Sequence, residues 1–172
     1  MTYLLETASA LENPAEIEEI ILEFYTGQVK RLLEGGGPKL SPQRPASGFW
    51  SDVDNYFPPK GALLLARADQ GHLTGIGAMT DIGGGIAEMK YLYVRPEARG
   101  TGLGRKLVTE RIDLARQMGL SRICVDTLEV SVEMHRLYED LGFERVAEFA
   151  ESKSIRDMAE LKPFMRFYQM QL

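Results

Sequence analysis

The chain has 172 residues, of which 44% are hydrophobic and 26% charged, and its formal net charge is −5. This length suggests a single domain over residues 1–172 with enough residues to bury a sizeable core. The acidic balance argues against a general nucleic-acid-binding protein, and no apolar run approaches the roughly 20 residues that span a bilayer.

The first 60 residues predict a strand, a helix and an irregular segment. A short strand is expected at 2–7, and Asn13-Pro14 then opens a helix, because Asn is a good N-cap and Pro suits the first turn. Apolar residues recur at helical spacing, and helical character resumes before the glycines that precede Pro38 stop it. Residues 38–60 hold four more prolines, so they are expected to be irregular apart from a short helix near 52–57.

The rest of the chain predicts a sheet that changes its organisation midway. Three strands joined by short glycine-containing turns form an antiparallel meander, followed by a helix, a strand, another helix and two closing strands. The predicted fold is a mixed α/β (α+β) sheet, mostly antiparallel and flanked by helices, in which a β-α-β crossover makes one parallel pair. The expected strands cover 62–68, 73–80, 86–94, 122–128, 144–149 and 165–172, and the expected helices end near Gly119 and Gly142.

A glycine-rich turn after the third meander strand is the strongest local signal. It runs Arg99-Gly100-Thr101-Gly102-Leu103-Gly104-Arg105 and enters a helix. A helix N-terminus leaves backbone N–H groups unpaired and carries partial positive charge, so it favours a phosphate or pyrophosphate. Glycines let the phosphate approach, and Arg99 and Arg105 add charge. The spacing fits neither a dinucleotide fingerprint nor a P-loop, and a turn that uses glycine only for tightness remains an alternative.

Three segments in this order resemble the GCN5-related N-acetyltransferase (GNAT) superfamily. The turn is similar to its Arg/Gln-x-x-Gly-x-Gly/Ala signature, strand 88–94 to its fourth strand, and residues 126–128 with 137–143 to its second conserved block. The resemblance is continuous over about 62–146. It implies that strands 4 and 5 splay apart around the pantetheine arm of acetyl-CoA. It also implies an acetyl-CoA-dependent N-acetyltransferase that acts by direct attack on a primary amine, with a small molecule as the expected acceptor.

The resemblance implies roles for individual residues. Tyr138 matches the acid that protonates the departing thiolate, and Glu88 matches a base, although an ion pair explains Glu88 nearly as well and many relatives use a water chain. The Leu92 N–H would polarise the thioester carbonyl. Ser131 stands where the family often has Asn, and an N-cap role suits it equally. The implied cofactor-binding residues are Leu92, Tyr93, Val94, Arg99, Gly100, Thr101, Gly102, Leu103, Gly104, Arg105 and Ser131.

Other features leave alternatives open. Cys124 is the only cysteine and is expected in the core. Because a single cysteine cannot form an intramolecular disulfide and the N-terminus shows no signal-peptide pattern, a reducing cytoplasm is favoured. His72 and His135 are expected in a turn and on a helix surface, so no metal site is predicted. A sensor that binds CoA without catalysis, or transfer of a longer acyl group, remains an alternative function, and a homodimer is common in the family.

Two groups near the N-terminus could serve an acceptor. Residues 1–60 carry 9 acidic and 5 basic side chains, a balance of −4. The acidic residues of the first helix favour a cationic acceptor, although ordinary solvated surface would give the same balance. The aromatic residues at 49, 50, 56 and 57 are expected to staple an irregular loop to the core, and lining an acceptor pocket is the alternative. The acidic residues to test are Glu16, Glu18, Glu19 and Glu23.

Overall fold

The computed structural model describes residues 3–69, 71–149 and 152–172. Seven strands form one sheet in the order β1-β2-β3-β4-β5-β7-β6. The strands are β1 (Tyr3–Ala8), β2 (Gly61–Ala68), β3 (Leu73–Asp81), β4 (Ile86–Val94), β5 (Arg122–Leu128), β6 (Glu144–Val146) and β7 (Met165–Gln171). The helices are α1 (Pro14–Glu34), α2 (Gln43–Asp52), α3 (Leu103–Gln117), α4 (Val132–Asp140) and α5 (Lys153–Asp157).

The sheet confirms the predicted mixed topology. Strands β1 to β4 pair antiparallel in chain order, and β7 pairs antiparallel with both β5 and β6. The crossover through α3 makes β4 and β5 parallel, but they pair only between Ile86–Met89 and Arg122–Val125. Beyond Met89 and Val125 the two strands separate, as the resemblance implied.

Helices cover both faces of the sheet. Successive residues of β2 point to opposite faces, and they enter different hydrophobic clusters: Leu64 packs with residues of α3, whereas Leu63 packs with residues of α1 and α2. The splayed ends of β4 and β5 therefore lie between two helical layers. None of the helices in the described ranges is both long and apolar enough to cross a membrane.

Two local predictions need correction. The first helix continues without a break over 21 residues, from an Asn13 side chain that accepts the Glu16 N–H to Gly35. Residues 38–60 are less irregular than expected, because they contain the ten-residue helix α2. Its prolines, Pro42 and Pro45, stand at the N-cap and in the first turn, where a missing N–H costs no intrahelical bond. The short helix near 52–57 is confirmed as a 3-10 turn at Val53–Tyr56.

Candidate active site

A cleft of about 500 Å³ lies along the end of β4 that no longer pairs with β5. The splayed end of β4 and the turn before α3 form one wall, and α1 and α4 form the rest. Of the eleven cofactor-binding residues expected from the sequence, nine line this cleft. They are Leu92, Tyr93, Val94, Arg99, Gly100, Gly102, Leu103, Gly104 and Arg105.

The turn before α3 has the geometry of an anion site. Gly100 and Gly102 adopt φ angles of 75° and 85°, which residues with a Cβ rarely adopt. The first N–H of the helix with a carbonyl partner is that of Lys106, which donates to the Gly102 carbonyl at 3.0 Å. In the described part of the chain, no carbonyl accepts from the N–H groups of residues 100–105. These groups suit the pyrophosphate of acetyl-CoA.

The side chains of Thr101, Ser131 and Arg99, which are among the expected cofactor residues, form hydrogen bonds within the protein. The Thr101 hydroxyl donates to the Ala98 carbonyl at 2.7 Å, and this residue does not line the cleft. Ser131 is fully buried at the N-cap position of α4 and does not line the cleft either. Its hydroxyl accepts a hydrogen bond from Arg31 at 3.4 Å. Arg99 lines the cleft, but its Nε donates to the Val94 carbonyl at 3.0 Å. That arginine therefore fixes the end of β4.

The lining from α1 and α4 was missed at the sequence level. Arg31 of α1 forms an ion pair with Glu133 of α4, and this pair joins the two helices beside the cleft. The Gln28 side-chain oxygen is buried and has no hydrogen-bond partner in the described chain. No local motif marks these residues, because their place depends on how α1 lies over the sheet.

A smaller cavity of about 120 Å³ adjoins the cleft. Phe24, Gln28, Leu92 and Met134 line both spaces, so the two meet beside the first splayed residues of β4. The cavity lining is mostly apolar. Its polar members are Tyr25, Gln28, Lys90, Tyr91, Asp126, Thr127, Tyr138 and Ser154.

Tyr138, the expected acid, reaches this cavity from α4. Its side chain is buried, with its ring 5.3 Å from that of Phe143 and 5.8 Å from that of Tyr168, between centroids. Burial raises the pKa of Tyr138 to about 12, although Arg111 acts in the opposite direction. The phenol therefore stays protonated at neutral pH. No described residue forms a hydrogen bond with its hydroxyl.

A buried polar cluster forms one side of the cavity. The Lys90 ammonium donates to the Ser154 hydroxyl at 2.9 Å, which in turn donates to Asp126 at 3.1 Å. Ser152 donates to the other Asp126 oxygen at 2.7 Å. Burial alone would lower the pKa of Lys90, but Asp126 and Glu88 raise it above its ordinary value. Lys90 is therefore a fixed positive charge in the wall of the cavity.

Glu88, the expected base, lies on the paired part of β4. It is 1% exposed, and its carboxylate accepts the Lys153 N–H at 2.9 Å and lies 3.7 Å from the Lys90 ammonium. Burial raises the pKa of Glu88. Glu88 lines neither the cleft nor the cavity, but a separate groove with Lys153 and Arg156. The structure does not bring it beside Leu92 and Tyr138.

Most acidic side chains of α1 are used within the fold. Glu16 accepts from Arg67 at 2.8 Å, and Glu19 and Glu23 accept from the buried Arg95 at 3.0 and 2.9 Å. These contacts favour a structural role over the predicted binding of a cationic acceptor, although Arg95 is shared by Glu19 and Glu23 and so balances only one of their two charges.

The histidines and aromatic residues also have structural partners. His135, expected on a helix surface, is half-buried on α4. Its Nδ1 lies 2.7 Å from the Tyr168 hydroxyl and its Nε2 lies 3.1 Å from the Leu128 carbonyl. Phe49 and Tyr56 stack on each other and contact the Tyr91 ring, as expected of a hydrophobic staple. Over the described ranges, no cluster of three or more His, Cys, Asp or Glu side chains could hold a metal ion.

Comparison with known proteins agrees with this geometry. The model of the acetyltransferase (GNAT) family matches residues 17–143. An uncharacterized N-acetyltransferase of Schizosaccharomyces pombe is 35% identical over 136 residues, which cover 78% of this chain and 80% of that protein. An IAA acetyltransferase of Azospirillum brasilense is 36% identical over 117 residues, or 67% and 76% of the two chains. The structure of PaiA N-acetyltransferase from Thermoplasma acidophilum in complex with coenzyme A superposes with a TM-score of 0.73 at 16% identity, covering 100% of both chains.

The family model spans the cleft, the turn before α3 and the helix that carries Tyr138. The chain therefore belongs to the acetyltransferase (GNAT) family and is an N-acetyltransferase that uses acetyl-CoA.

Proposed function

We propose that this enzyme transfers the acetyl group of acetyl-CoA to a primary amine of a small molecule, by direct attack while both are bound. The proposal rests on the observation that the cleft and the cavity meet. The cleft suits the cofactor, the cavity suits an acceptor, and Leu92 lines both. A nucleophile in the cavity can thus reach a thioester at the end of the cleft without a covalent enzyme intermediate.

The cleft residues hold and orient the cofactor, which supplies an activated acetyl thioester. The N–H groups of residues 100–105 bind its pyrophosphate, helped by the positive end of α3. The splayed backbone from Leu92 to Val94 lies along the pantetheine arm, since ladder groups without a strand partner need other partners. The Leu92 N–H then donates to the thioester carbonyl oxygen.

One group in the cavity suits a proton transfer, and another suits the orientation of the amine. Tyr138 keeps its proton at neutral pH because burial raises its pKa to about 12, so it can donate to the departing thiolate sulfur. The orphaned Gln28 oxygen can accept an N–H of the acceptor amine and orient its lone pair. Glu88 lines a separate groove and not the cavity, so it can take the amine proton only through a chain of water molecules.

The size and lining of the cavity favour a small acceptor. A volume of about 120 Å³ holds a group the size of a small ring or short alkyl chain, and it leaves little room for a longer acyl group. The IAA acetyltransferase relative also carries a small molecule in its name. A non-catalytic sensor is disfavoured, because binding alone does not require a protonated phenol inside the acceptor cavity.

A panel of acceptors tests the proposal. Short alkyl and arylalkyl amines, amino acids and a lysine peptide are each mixed with enzyme and acetyl-CoA, and the released thiol is followed. We expect turnover with small primary amines that exceeds turnover with the peptide, and intersecting initial-rate lines when both substrates are varied. Parallel lines would contradict direct attack in a ternary complex. Preference for the peptide would contradict a small-molecule acceptor.

A further inference from the structure

Arg111 of α3 is a fully buried cation whose only described acceptors are backbone carbonyls. Its side chain is 0% exposed. Its Nε donates to the Leu107 carbonyl at 3.0 Å, and its Nη1 donates to the carbonyls of Ala78 and Lys90 at 2.9 and 3.2 Å. Its Nη2 has no partner among the residues that the structure describes. Burial lowers the pKa of Arg111 to about 10, so the guanidinium remains charged at neutral pH. A buried charge without a carboxylate is costly, which suggests a functional reason for keeping it.

Two of these carbonyls lie beside a β-bulge. Ile76 pairs with Tyr93 and Ala78 pairs with Lys90, so the single residue Gly77 faces both Tyr91 and Leu92. Such an extra residue bends a strand and turns its next backbone groups. The bulge falls at the first residues of β4 after its pairing with β5 has ended.

The bulge holds Tyr91 in a conformation that needs support. Its φ of 56° makes it the only non-glycine residue with positive φ in the described chain, and residues with a Cβ rarely adopt this region. On one side of the sheet, the Tyr91 ring packs 5.1 Å from Phe49 and 5.6 Å from Tyr56, between centroids. From α3, Arg111 holds the carbonyl of the preceding residue, Lys90.

Gly77 leaves the space that the guanidinium occupies. A Cβ at this position would lie 3.1 Å from Cζ and Nε of Arg111, closer than ordinary contacts between carbon and nitrogen atoms. The absence of a Cβ at Gly77 therefore makes room for the Arg111 guanidinium against β3. The glycine of the bulge lies on β3 and not on β4.

We propose that Arg111 is a positioning residue for acetyl transfer, which fixes the β4 bulge so that the Leu92 N–H points into the split and places an unneutralised positive charge behind it. This inference rests on the proposed function. Leu92 lines both the cleft and the cavity, so its N–H is suitably placed to stabilise negative charge that develops on the thioester oxygen. The guanidinium strengthens that effect, because a fixed charge acts strongly in an interior that excludes water.

The test compares Arg111→Met with Arg116→Met. Arg116 is exposed on the same helix and pairs with Asp113. Arg116→Met should therefore change neither kcat nor the infrared band of the thioester carbonyl. For Arg111→Met we expect kcat to fall about 10- to 100-fold, somewhat less than when an oxyanion donor is deleted outright, with little change in the Kd of CoA. The second readout is the infrared band of the ¹³C-labelled thioester carbonyl. In the wild type, the band should move to lower frequency on binding, and Arg111→Met should lose most of that movement.

A second variant covers the case in which Arg111→Met fails to fold. Gly77→Ala retains the guanidinium and displaces it by a few tenths of an ångström, so we expect a smaller fall in kcat and a partial loss of the carbonyl shift. A folded Arg111→Met or Gly77→Ala protein with full kcat and an unchanged carbonyl band would overturn the inference. If the wild type acetylates no amine but its carbonyl band shifts as expected, the proposed function fails while the role of Arg111 stands.

Discussion

The Lys90 ammonium donates to the Ser154 hydroxyl at 2.9 Å, a contact that links the splayed end of β4 to α5. Ser154 also donates to Asp126 on the splayed end of β5, so one hydroxyl connects both separated strands. One side of the cavity is thus closed by a segment more than 60 residues away in sequence from β4. We expect the geometry of the cavity to depend on this cluster.

Replacing Lys90 should destabilise the protein more than replacing an exposed lysine. Lys90→Met leaves the buried Glu88 and the half-buried Asp126 without their cation, and breaking such a cluster costs about 3–5 kcal/mol. Ser154→Ala removes only hydrogen bonds and should lower kcat/KM for the amine by about tenfold, with the Kd of acetyl-CoA unchanged. Thermal unfolding and steady-state kinetics measure both effects. Lys30→Met is the control, since Lys30 is 75% exposed. Equal stability of the two lysine variants would contradict a structural role for the cluster.

Glu88→Gln tests whether the amine proton reaches this carboxylate. Burial raises the pKa of Glu88 above that of an ordinary carboxyl group, and a base acts only when ionised. Turnover by the wild type should therefore rise as the pH increases through this raised pKa, and the Gln variant should lack that rise. The exposed Glu110→Gln serves as the control. Superimposable pH profiles of the wild type and Glu88→Gln would show that water alone carries the proton.

The raised pKa of Glu88 also makes the stability of the protein depend on pH. Because the folded-state pKa of Glu88 is raised, its contribution to folding is complete below the unfolded pKa and is lost as pH rises through the folded value. The free energy of unfolding of the wild type should therefore fall over that window relative to Glu88→Gln. Denaturant titrations at several pH values measure this difference, and a constant difference between the two proteins would contradict the assignment.

Substitutions at two glycines of the turn should separate cofactor binding from stability. Gly104 does not adopt a positive φ, and a Cβ there would meet only Val94, at 3.9 Å. Gly104→Val should keep the melting temperature but lower the affinity for acetyl-CoA by about tenfold or more, because its side chain enters a space that the phosphates need. Gly102→Ala should lose roughly 1–2 kcal/mol of stability, since φ is 85°.

Gly36→Ala is the matched control for these turn variants. Its φ is 84° with open space around it, and Gly36 does not line the cleft. We expect Gly36→Ala to lower the stability of the protein but to keep full affinity for acetyl-CoA. Calorimetric titration measures the affinity. Full affinity of Gly104→Val would show that the phosphates bind elsewhere.

Glu23 should matter for folding and not for the acceptor. Glu23→Gln removes one carboxylate from Arg95, whose side chain is 5% exposed, and should lower the free energy of unfolding by about 1–3 kcal/mol. Glu18→Gln, on the exposed face of α1, should stay within about 0.5 kcal/mol of the wild type. A higher KM for the amine in Glu23→Gln, without a loss of stability, would restore the idea of an acidic acceptor site.

Local sequence patterns predicted much of the fold and many of the residues that line the cleft. Asn13-Pro14 starts α1 as expected, because capping depends on neighbouring residues only. The turn at Gly100 and Gly102 was predicted for the same reason, since positive φ and a helix N-terminus are local features. The helix α2 was missed because prolines were taken as breakers, although they lie where helices tolerate them.

The acceptor side could not be predicted in this way. Lys90 and Ser154 meet only because the sheet brings β4 against α5, and Gln28 enters the site only because α1 lies across the splayed strands. Arg111 lies on the apolar face of α3, midway between Leu107 and Ala115. A charged side chain was not expected in the core at this position, and the space that it occupies depends on Gly77 of another strand. Tertiary contacts of this kind leave no periodic signal.

The most direct test of acetyl transfer at the split compares the wild type with Tyr138→Phe in one assay that follows thiol release and N-acetylated product together. The wild type should form thiol and product in equal amounts. Tyr138→Phe should bind acetyl-CoA as before but lose kcat by about 100-fold or more, because the thiolate then leaves without its acid. Thiol release without an acetylated amine, or full kcat in Tyr138→Phe, would contradict the account.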